Sequence, residues 1–512
     1  MKLNGFVKGA VILVVFNLIG KVIGAVYRIP LANLLGPVGI GEYQLVFPLY
    51  SLMLAISVSG IPVAISRIVS EFNSRGRFGD VKKLIRTAIL WLVGISATCI
   101  FIVVVCARFI AKIQGNSQIY VCYYGIAPAI LFVALLSVFR GYFQGRLNMI
   151  PTALSGLIEQ IGRLIFGLYF AGKLVGFGTV YGVLGAIIGI SVSELIALIF
   201  LFIYYIFFTK KHSKNTSSVF GRKEISKKLI QTALPITVGG LASPITSIVD
   251  SLLVVNLLIF TGYSSGVATS LLGLQSGIVE PLINIPIVIA VSISSSILPN
   301  ITKAYVKKDR QEMRSLIEKA FQITLSVVLA CAICYVVFGK QILEFLYAKT
   351  LSSKEFIIST KLLFLGGINL IFLSLVYVSA SILQGMEKQK IAAKSILIGS
   401  VIKIVLTLVL VVIKNVNIYG AMISGGVSYF AVFMMNYRHI KAETEARITN
   451  LFFNLAIQEF LVCMFAFFSN WGFGVVFGTK IALFAGGIIS VVIFAISYYV
   501  LFLNEKPKII SS

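Results

Sequence analysis

The chain has 512 residues, of which 58% are hydrophobic and 12% are charged, and its mean hydropathy is +0.99. A soluble protein of this length carries about twice that fraction of charge, so the composition excludes a soluble globular protein. The net charge of +26 would suggest a nucleic-acid partner in a soluble chain. Here the basic residues are concentrated in every second loop between apolar segments. This distribution is typical of a membrane protein, so we expect no nucleic-acid binding.

Apolar segments of eighteen or more residues recur along the chain, each long enough to cross a bilayer core of about 30 Å. They predict an all-α polytopic membrane protein with about fourteen transmembrane helices. The predicted spans cover residues 7–27, 43–66, 84–107, 119–141, 151–171, 180–208, 229–260, 276–300, 316–338, 357–385, 391–413, 417–437, 451–469 and 479–503. The first span is too long for a signal peptide and carries Lys21, so we expect it to be retained.

The basic residues indicate the topology. Most of the 44 Lys and Arg residues lie at the two termini and in the even-numbered loops, such as 67–83 and 209–228. The positive-inside rule then predicts a multi-pass protein of the cytoplasmic membrane with both termini in the cytoplasm. We interpret the basic loops as topogenic segments that face membrane lipid.

Two parts of the sequence repeat. Gln144-Gly145 ends one apolar segment and Arg163 follows nineteen residues later, and Gln384-Gly385 and Lys403 repeat this pattern at an offset of 240. An even number of spans per repeat preserves orientation, so we predict two six-helix lobes in a parallel pseudo-two-fold repeat. The predicted division is 1–223 for the N-terminal lobe, 224–440 for the C-terminal lobe and 441–512 for an extra helix pair.

Charged residues inside predicted spans are candidates for function, because burying them in a bilayer is costly. Asn17, Lys21, Gly24 and Arg28 are spaced to share one face of the first helix. Two cations and a glycine on one stripe suit an anionic ligand. Snorkelling to the membrane surface is the alternative for Arg28, and it fits Lys21 poorly.

The fifth span carries Glu159 and Arg163 at positions i and i+4. Either the two side chains neutralise each other, or Arg163 faces a central cavity and Glu159 restrains it. Lys403, the repeat counterpart of Arg163, has Gly399 where the carboxylate would be. Asp250 in the seventh span is a candidate either to pair with Lys403 or to bind a coupling Na⁺ or H⁺. Glu194 is a weaker candidate, because it lies near a span end.

No other cofactor is expected. The six cysteines lie in or beside apolar spans, and Cys331 and Cys334 have metal-ligand spacing without a second pair or a histidine. We interpret them as packing thiols and expect no metal.

The segment from Lys21 through Gly36 to Tyr43 resembles the polysaccharide-transporter branch of the MOP exporter superfamily. Within that branch it is similar to the stage V sporulation protein B group, which is related to the MurJ lipid II flippases. The resemblance implies a MATE/MurJ-like fold and the export of an undecaprenyl-pyrophosphate-linked glycan, a cell-wall or polysaccharide precursor. We expect the chain to function as a monomer. It places Lys21 and Arg28 among the pyrophosphate-binding cations and matches Glu42 to the acid that follows Gly36. The family's cavity arginine in the second span is missing, and Arg163 and Lys403 are candidates to replace it.

Other classes of function fit less well. A membrane glycosyltransferase needs external acids, but the first external loop has only Glu42 and the loop 261–275 has no charge. A membrane acyltransferase would need an intramembrane histidine, whereas His212 and His439 lie in or beside cytoplasmic loops. We therefore expect no enzyme. A cation-coupled multidrug antiporter of the MATE type is the stronger alternative, although its cavity should be richer in acids.

Overall fold

The computed structural model describes residues 2–212, 218–446, 452–477 and 479–503. Over these residues the chain is helical and has no β-strand. Each predicted span coincides with one or two helices, so the all-α membrane fold is confirmed. Within the described ranges, nine helices are long and apolar enough to cross a bilayer. The first of these, Ile19–Ser74, contains the end of the predicted span 7–27 and the whole of the span 43–66. The side chain of Asn17 lies outside the described residues.

The contacts divide the chain into two compact units, Met1–Gly273 and Leu274–Ser512. The first unit contains α1 (Lys2–Val58), α2 (Ile61–Ser74), α3 (Phe78–Ile113), α4 (Tyr120–Gly145), α5 (Ile150–Leu174), α6 (Thr179–His212), α7 (Arg222–Gly240), α8 (Ala242–Phe260) and α9 (Ser265–Leu272). The second contains α10 (Glu280–Val306), α11 (Arg310–Tyr347), α12 (Ser353–Gly385), α13 (Gln389–Leu410), α14 (Ile418–Thr444), α15 (Phe452–Phe477) and α16 (Thr479–Tyr498). Helices α7–α9 thus pack with the first six predicted spans, whereas the division by repeat assigns them to the second lobe. The six-helix lobes remain a prediction.

The first two predicted spans form one long helix with a bend. Gly36 has φ 69°, a left-handed conformation that glycine adopts without steric cost. Beyond this bend, a Cβ on Gly41 would lie 1.9 Å from the carbonyl oxygen of Thr269 on α9. Helix α1 therefore packs backbone to backbone against α9, and the segment 28–42, expected as an external loop, is helical on both sides of Gly36.

The predicted span 229–260 is also divided, because the helix is interrupted at Leu241 between α7 and α8. The N-terminal part of α7 is amphipathic. Ile225 and Leu229 are buried in a core that α2, α3, α4 and α6 share. This face holds α7 on the first unit and leaves its basic face exposed.

In the second unit, α10, α11, α12 and α14 share a core that includes Ile301, Phe321 and Leu383. Helix α13 packs on α14 through Gly399, where a Cβ would lie 2.2 Å from a methyl group of Val432. The Ser428 hydroxyl donates a 2.6 Å hydrogen bond to the Gly399 carbonyl oxygen. Small residues thus set the α13–α14 contact.

Candidate functional site

Helices α5 and α6 approach closely because both carry small residues at their crossing. A Cβ on Gly162 would lie 2.8 Å from Ser193, and a Cβ on Gly189 would lie 2.4 Å from Gly167. Any larger side chain at these positions would push the helices apart. Polar side chains next to the crossing are therefore held within reach of each other.

One such group is an ion network that begins on α4. Arg140 donates from Nε to the Ser155 hydroxyl at 3.0 Å and from Nη2 to Glu159 Oε2 at 3.0 Å. Gln160 donates a 3.1 Å hydrogen bond to the other carboxylate oxygen of Glu159. Both oxygens of Glu159 are thus held, and its orientation is fixed from two helices.

Arg163 extends this network to α6. Its Nη2 lies 3.3 Å from Glu159 Oε1 and 3.4 Å from Glu194 Oε1. The Glu194 side chain is only 3% exposed. Two arginines and two glutamates give a formal net charge of zero, so the network neutralises itself. This geometry agrees with the interpretation that Glu159 and Arg163 neutralise each other. Arg140 and Glu194 are two further members of the network.

The stripe of cations on α1 lies beside the network. The Gln160 side chain packs against α1, where a Cβ on Gly24 would lie 3.1 Å from its amide oxygen. Because Gln160 is near the middle of α5, this part of α1 also lies at mid-helix depth. Lys21 is exposed and Arg28 is half-buried. Neither forms an ion pair with a carboxylate of the described side chains, in contrast to Arg163.

Three buried tyrosines of α1 line the same region. Tyr27 and Tyr43 lie within electrostatic range of both Arg28 and Arg163. Tyr50 lies within range of Arg163 and its two glutamates. The Tyr50 hydroxyl is buried and has no hydrogen-bond partner among the described residues. The surface of α1 beside the network is therefore formed by aromatic rings that carry hydroxyl groups.

Glu42 belongs to a different cluster. It is 3% exposed, and Asn116 donates a 3.3 Å hydrogen bond to its Oε1. Next to it, the amide of Gln114 donates to the Leu45 carbonyl oxygen at 2.9 Å. These bonds tie the segment between α3 and α4 to α1 just beyond the Gly36 bend. Glu42 thus has a structural environment of its own, separate from the Lys21–Arg28 stripe.

The remaining predicted residues lie on other elements. Lys403 is half-buried on α13 in the second unit, and Asp250 is half-buried on α8 in the first. The two alternatives for Asp250, a pair with Lys403 or a coupling-ion site, both stay predictions. No group of three or more His, Cys, Asp or Glu in the described part of the chain could hold a metal ion.

Arg140 is a member of the network that the sequence did not predict, and the sequence indicated Glu194 only as a weaker candidate. Arg140 is the last but one residue of the predicted span 119–141, and its position at the end of that span gave no reason to select it as a candidate. In the structure α4 continues to Gly145, so Arg140 lies more than one helical turn before the end of the helix. The Gln144-Gly145 pair was the available signal, because glycine commonly follows the last helical turn.

The chain matches two families of known proteins. The family model described as "Polysaccharide biosynthesis protein" matches residues 6–305. The chain belongs to this family. The MatE family model matches residues 235–409. Both matches agree with the resemblance to the MOP exporter superfamily seen in the sequence.

Three relatives in Bacillus subtilis (strain 168) are similar over most of their length. The "Lipid II flippase MurJ" is 28% identical over 462 residues, which cover 85% of this chain and 82% of that protein. The "Uncharacterized membrane protein YabM" is 30% identical over 440 residues, with 85% and 80% covered. "Stage V sporulation protein B" is 25% identical over 422 residues, with 81% and 80% covered. The first of these relatives is named as a flippase, which agrees with the prediction of a transporter instead of an enzyme.

Solved structures show the same fold. "Lipid II flippase MurJ, inward closed conformation" has a TM-score of 0.74 at 13% identity and covers 96% of this chain and 99% of that one. The inward-facing structure of a multidrug resistance MATE family transporter has a TM-score of 0.64 at 15% identity, with 83% and 96% covered. The MATE/MurJ-like fold is thereby confirmed.

Proposed function

We propose that this protein is a flippase that moves an undecaprenyl-pyrophosphate-linked saccharide across the cytoplasmic membrane by alternating access. Its similarity to the lipid II flippase over 85% of the chain supports a lipid-linked substrate. The observation that carries the proposal is the separation of charges at α1 and α5. Glu159 and Glu194 neutralise Arg140 and Arg163, so the charge of Lys21 and Arg28 is left for a ligand.

A pyrophosphate group suits this arrangement. Charge-assisted hydrogen bonds from Lys and Arg to phosphate oxygens are roughly twice as strong as neutral ones. In a site of low dielectric constant their attraction is larger than in water. Lys21 and Arg28 are seven residues apart on one helix, about 10 Å along its axis at 1.5 Å per residue. The side chains of Lys and Arg are long enough to reach across this separation to the two phosphates of one pyrophosphate group.

We also propose how the chain is oriented in the membrane and which residue couples transport to an ion. Both termini lie in the cytoplasm, as the basic loops indicate, and the chain acts as a monomer. Asp250 is our candidate for a coupling Na⁺ or H⁺. Cysteines introduced at Lys349 and Lys308 test the orientation with a membrane-impermeant reagent: only the first should react from outside intact cells. Labelling of Lys308→Cys from outside would contradict it.

Complementation tests the substrate class. In cells depleted of their lipid II flippase, we expect the wild-type chain to restore growth. We expect Lys21→Ala to reach the membrane at a normal level, because an exposed cation contributes little to folding. The variant should not restore growth, because it lacks a cation that binds the substrate. Lys112→Ala, which removes another exposed cation, is the control and should complement. Full complementation by Lys21→Ala would refute the role of this residue. A separate experiment identifies the glycan: the lipid-linked sugar that accumulates when the native protein is depleted is the substrate.

A cation-coupled multidrug antiporter is the second candidate, favoured by the MatE match over residues 235–409. Such a transporter should lower the accumulation of cationic dyes in cells that express it. The flippase proposal expects no effect on dye accumulation, because Lys21 and Arg28 repel cations. Ion-dependent dye export that Asp250→Asn abolishes would favour the antiporter.

A further inference from the structure

A groove between α3 and α7 lies outside the proposed transport site. Its volume is about 900 Å³, within the range of about 300 to 1,000 Å³ that is usual for ligand pockets. Leu90, Gly94 and Thr98 follow one face of α3 along the groove. From Thr87 to Thr98 the wall is about 16 Å long at 1.5 Å per residue. This face offers a hydrocarbon chain an apolar path along the helix.

Three cations form the opposite wall. Arg222, Lys223 and Lys227 lie in the first turns of α7 and line the groove. All three are exposed, and none forms an ion pair within the part of the chain that the structure describes. The neighbouring Lys228 differs, since it is bound to Glu71 at 2.6 Å. The acid of this turn, Glu224, accepts a 2.8 Å hydrogen bond from the backbone amide of Gly221.

The groove is built into the fold. Asp80 on α3 accepts hydrogen bonds from the Ser218 hydroxyl at 2.8 Å and from the backbone amides of Val219 and Phe220 at 3.0 Å. Lys83 donates to the Phe220 carbonyl oxygen at 2.6 Å. These bonds fix the start of α7 beside α3. Farther along, the indole N–H of Trp91 donates to the Ser226 hydroxyl at 3.1 Å and connects the two walls.

We propose that this groove binds an anionic phospholipid of the inner leaflet, with its phosphate on Arg222, Lys223 and Lys227 and one acyl chain along α3. The charge complementarity selects the headgroup, because cations beside a membrane attract anionic lipids. The apolar face of α3 selects a lipid over a soluble phosphate. The basic loops place this end of both helices at the cytoplasmic surface. Because the lipid contacts both α3 and α7, it helps to hold α7 against α3.

Native mass spectrometry of the purified full-length protein tests this site with phosphatidylglycerol and phosphatidylcholine as probes. We expect wild type to retain phosphatidylglycerol and to release phosphatidylcholine. The triple variant R222Q/K223Q/K227Q should lose at least about tenfold in phosphatidylglycerol affinity. The matched control, K307Q/K308Q/R310Q, removes three cations from the turn between α10 and α11 and the first residue of α11, and it should bind as wild type does. An equal loss in both triple variants would show general surface attraction and overturn the proposal.

Filling the apolar wall tests the groove itself. A Cβ on Gly94 would meet no atom within 4 Å, so Gly94→Phe projects into the groove without a clash in the core. We expect this variant to lose phosphatidylglycerol binding with all three cations intact, and Thr98→Phe to do the same. Unchanged binding in both folded variants would contradict the acyl-chain site. Displacement of phosphatidylglycerol by an equimolar amount of undecaprenyl pyrophosphate would assign the groove to the transported lipid and overturn the proposal.

Discussion

Helices α5 and α6 of the first unit correspond in the predicted repeat to α13 and α14 of the second, and both pairs pack through glycines. Their charges differ. At the offset of 240, Arg140 and Glu159 are replaced by Ala380 and Gly399, and Arg163 is replaced by Lys403. Glu194, at the offset of 235 that relates Gly185 to Gly420, is replaced by Tyr429. The first pair thus holds a four-membered ion network, and the second retains one cation.

The residue at one position decides whether a helix pair can hold the ion network. In α5 the residue at position 159 carries a carboxylate that Arg140 and Arg163 share. In α13 the corresponding Gly399 is pressed against Val432, which leaves no room for a side chain. A side chain with a carboxylate at this position would require the two helices to lie farther apart. We infer that the network of the first unit is structural, and that the α1 stripe beside it is the part available to a substrate.

The largest effect should follow from loss of one acid of the network. Glu159→Gln leaves Arg140 and Arg163 without their shared charge in a largely buried place, so we expect a loss of about 3 kcal/mol in the free energy of unfolding. The thermal unfolding midpoint in detergent should fall clearly. Glu344→Gln, an exposed acid of α11, is the control and should unfold as wild type does. If Glu159→Gln also matched wild type, the network would not be structural.

A second prediction concerns the glycine of the other pair. Gly399→Ala introduces a methyl group 2.2 Å from Val432 and 3.1 Å from the Ser428 hydroxyl, and overpacking of this kind costs about 1 to 3 kcal/mol. Gly156→Ala is the matched control, because a Cβ there meets no atom within 4 Å. The control should be neutral or more stable by up to about 1 kcal/mol, since alanine favours helix. Equal thermal stability of the two variants would show that α13 and α14 pack less closely than described.

The smallest effect is expected from an exchange of cations between the repeats. Arg163→Lys keeps the charge but loses the planar guanidinium that reaches Glu159 and Glu194. We expect a loss of about 1 kcal/mol. Lys403→Arg, the reciprocal exchange, should be close to neutral. Thermal unfolding of both variants in one detergent makes the comparison, and a greater loss in Lys403→Arg would reverse our assignment of structural roles.

Much of the architecture could be read from the sequence, because hydropathy and charge directly decide which segments cross a membrane. The bend at Gly36 and the break at Leu241 were missed, since an apolar segment can be one helix or two without a change in hydropathy. The partners of Arg163 were only half found. Glu159 is visible at i−4 on the same helix, whereas Glu194 is brought in by the crossing of α5 and α6. Such a contact depends on the small residues Gly162 and Gly189, whose partners are distant in sequence.

Isothermal titration calorimetry of the purified protein with a short-chain polyprenyl pyrophosphate tests directly whether Lys21 and Arg28 bind the pyrophosphate. Lys21→Gln combined with Arg28→Gln should bind about 100-fold more weakly than wild type, because each charged hydrogen bond contributes about 1.5 kcal/mol or more. Its thermal unfolding should be unchanged. Lys112→Gln combined with Lys354→Gln removes the same charge from exposed positions and should bind normally. Unchanged affinity in the Lys21 and Arg28 double variant would contradict the central claim that these two cations hold the pyrophosphate.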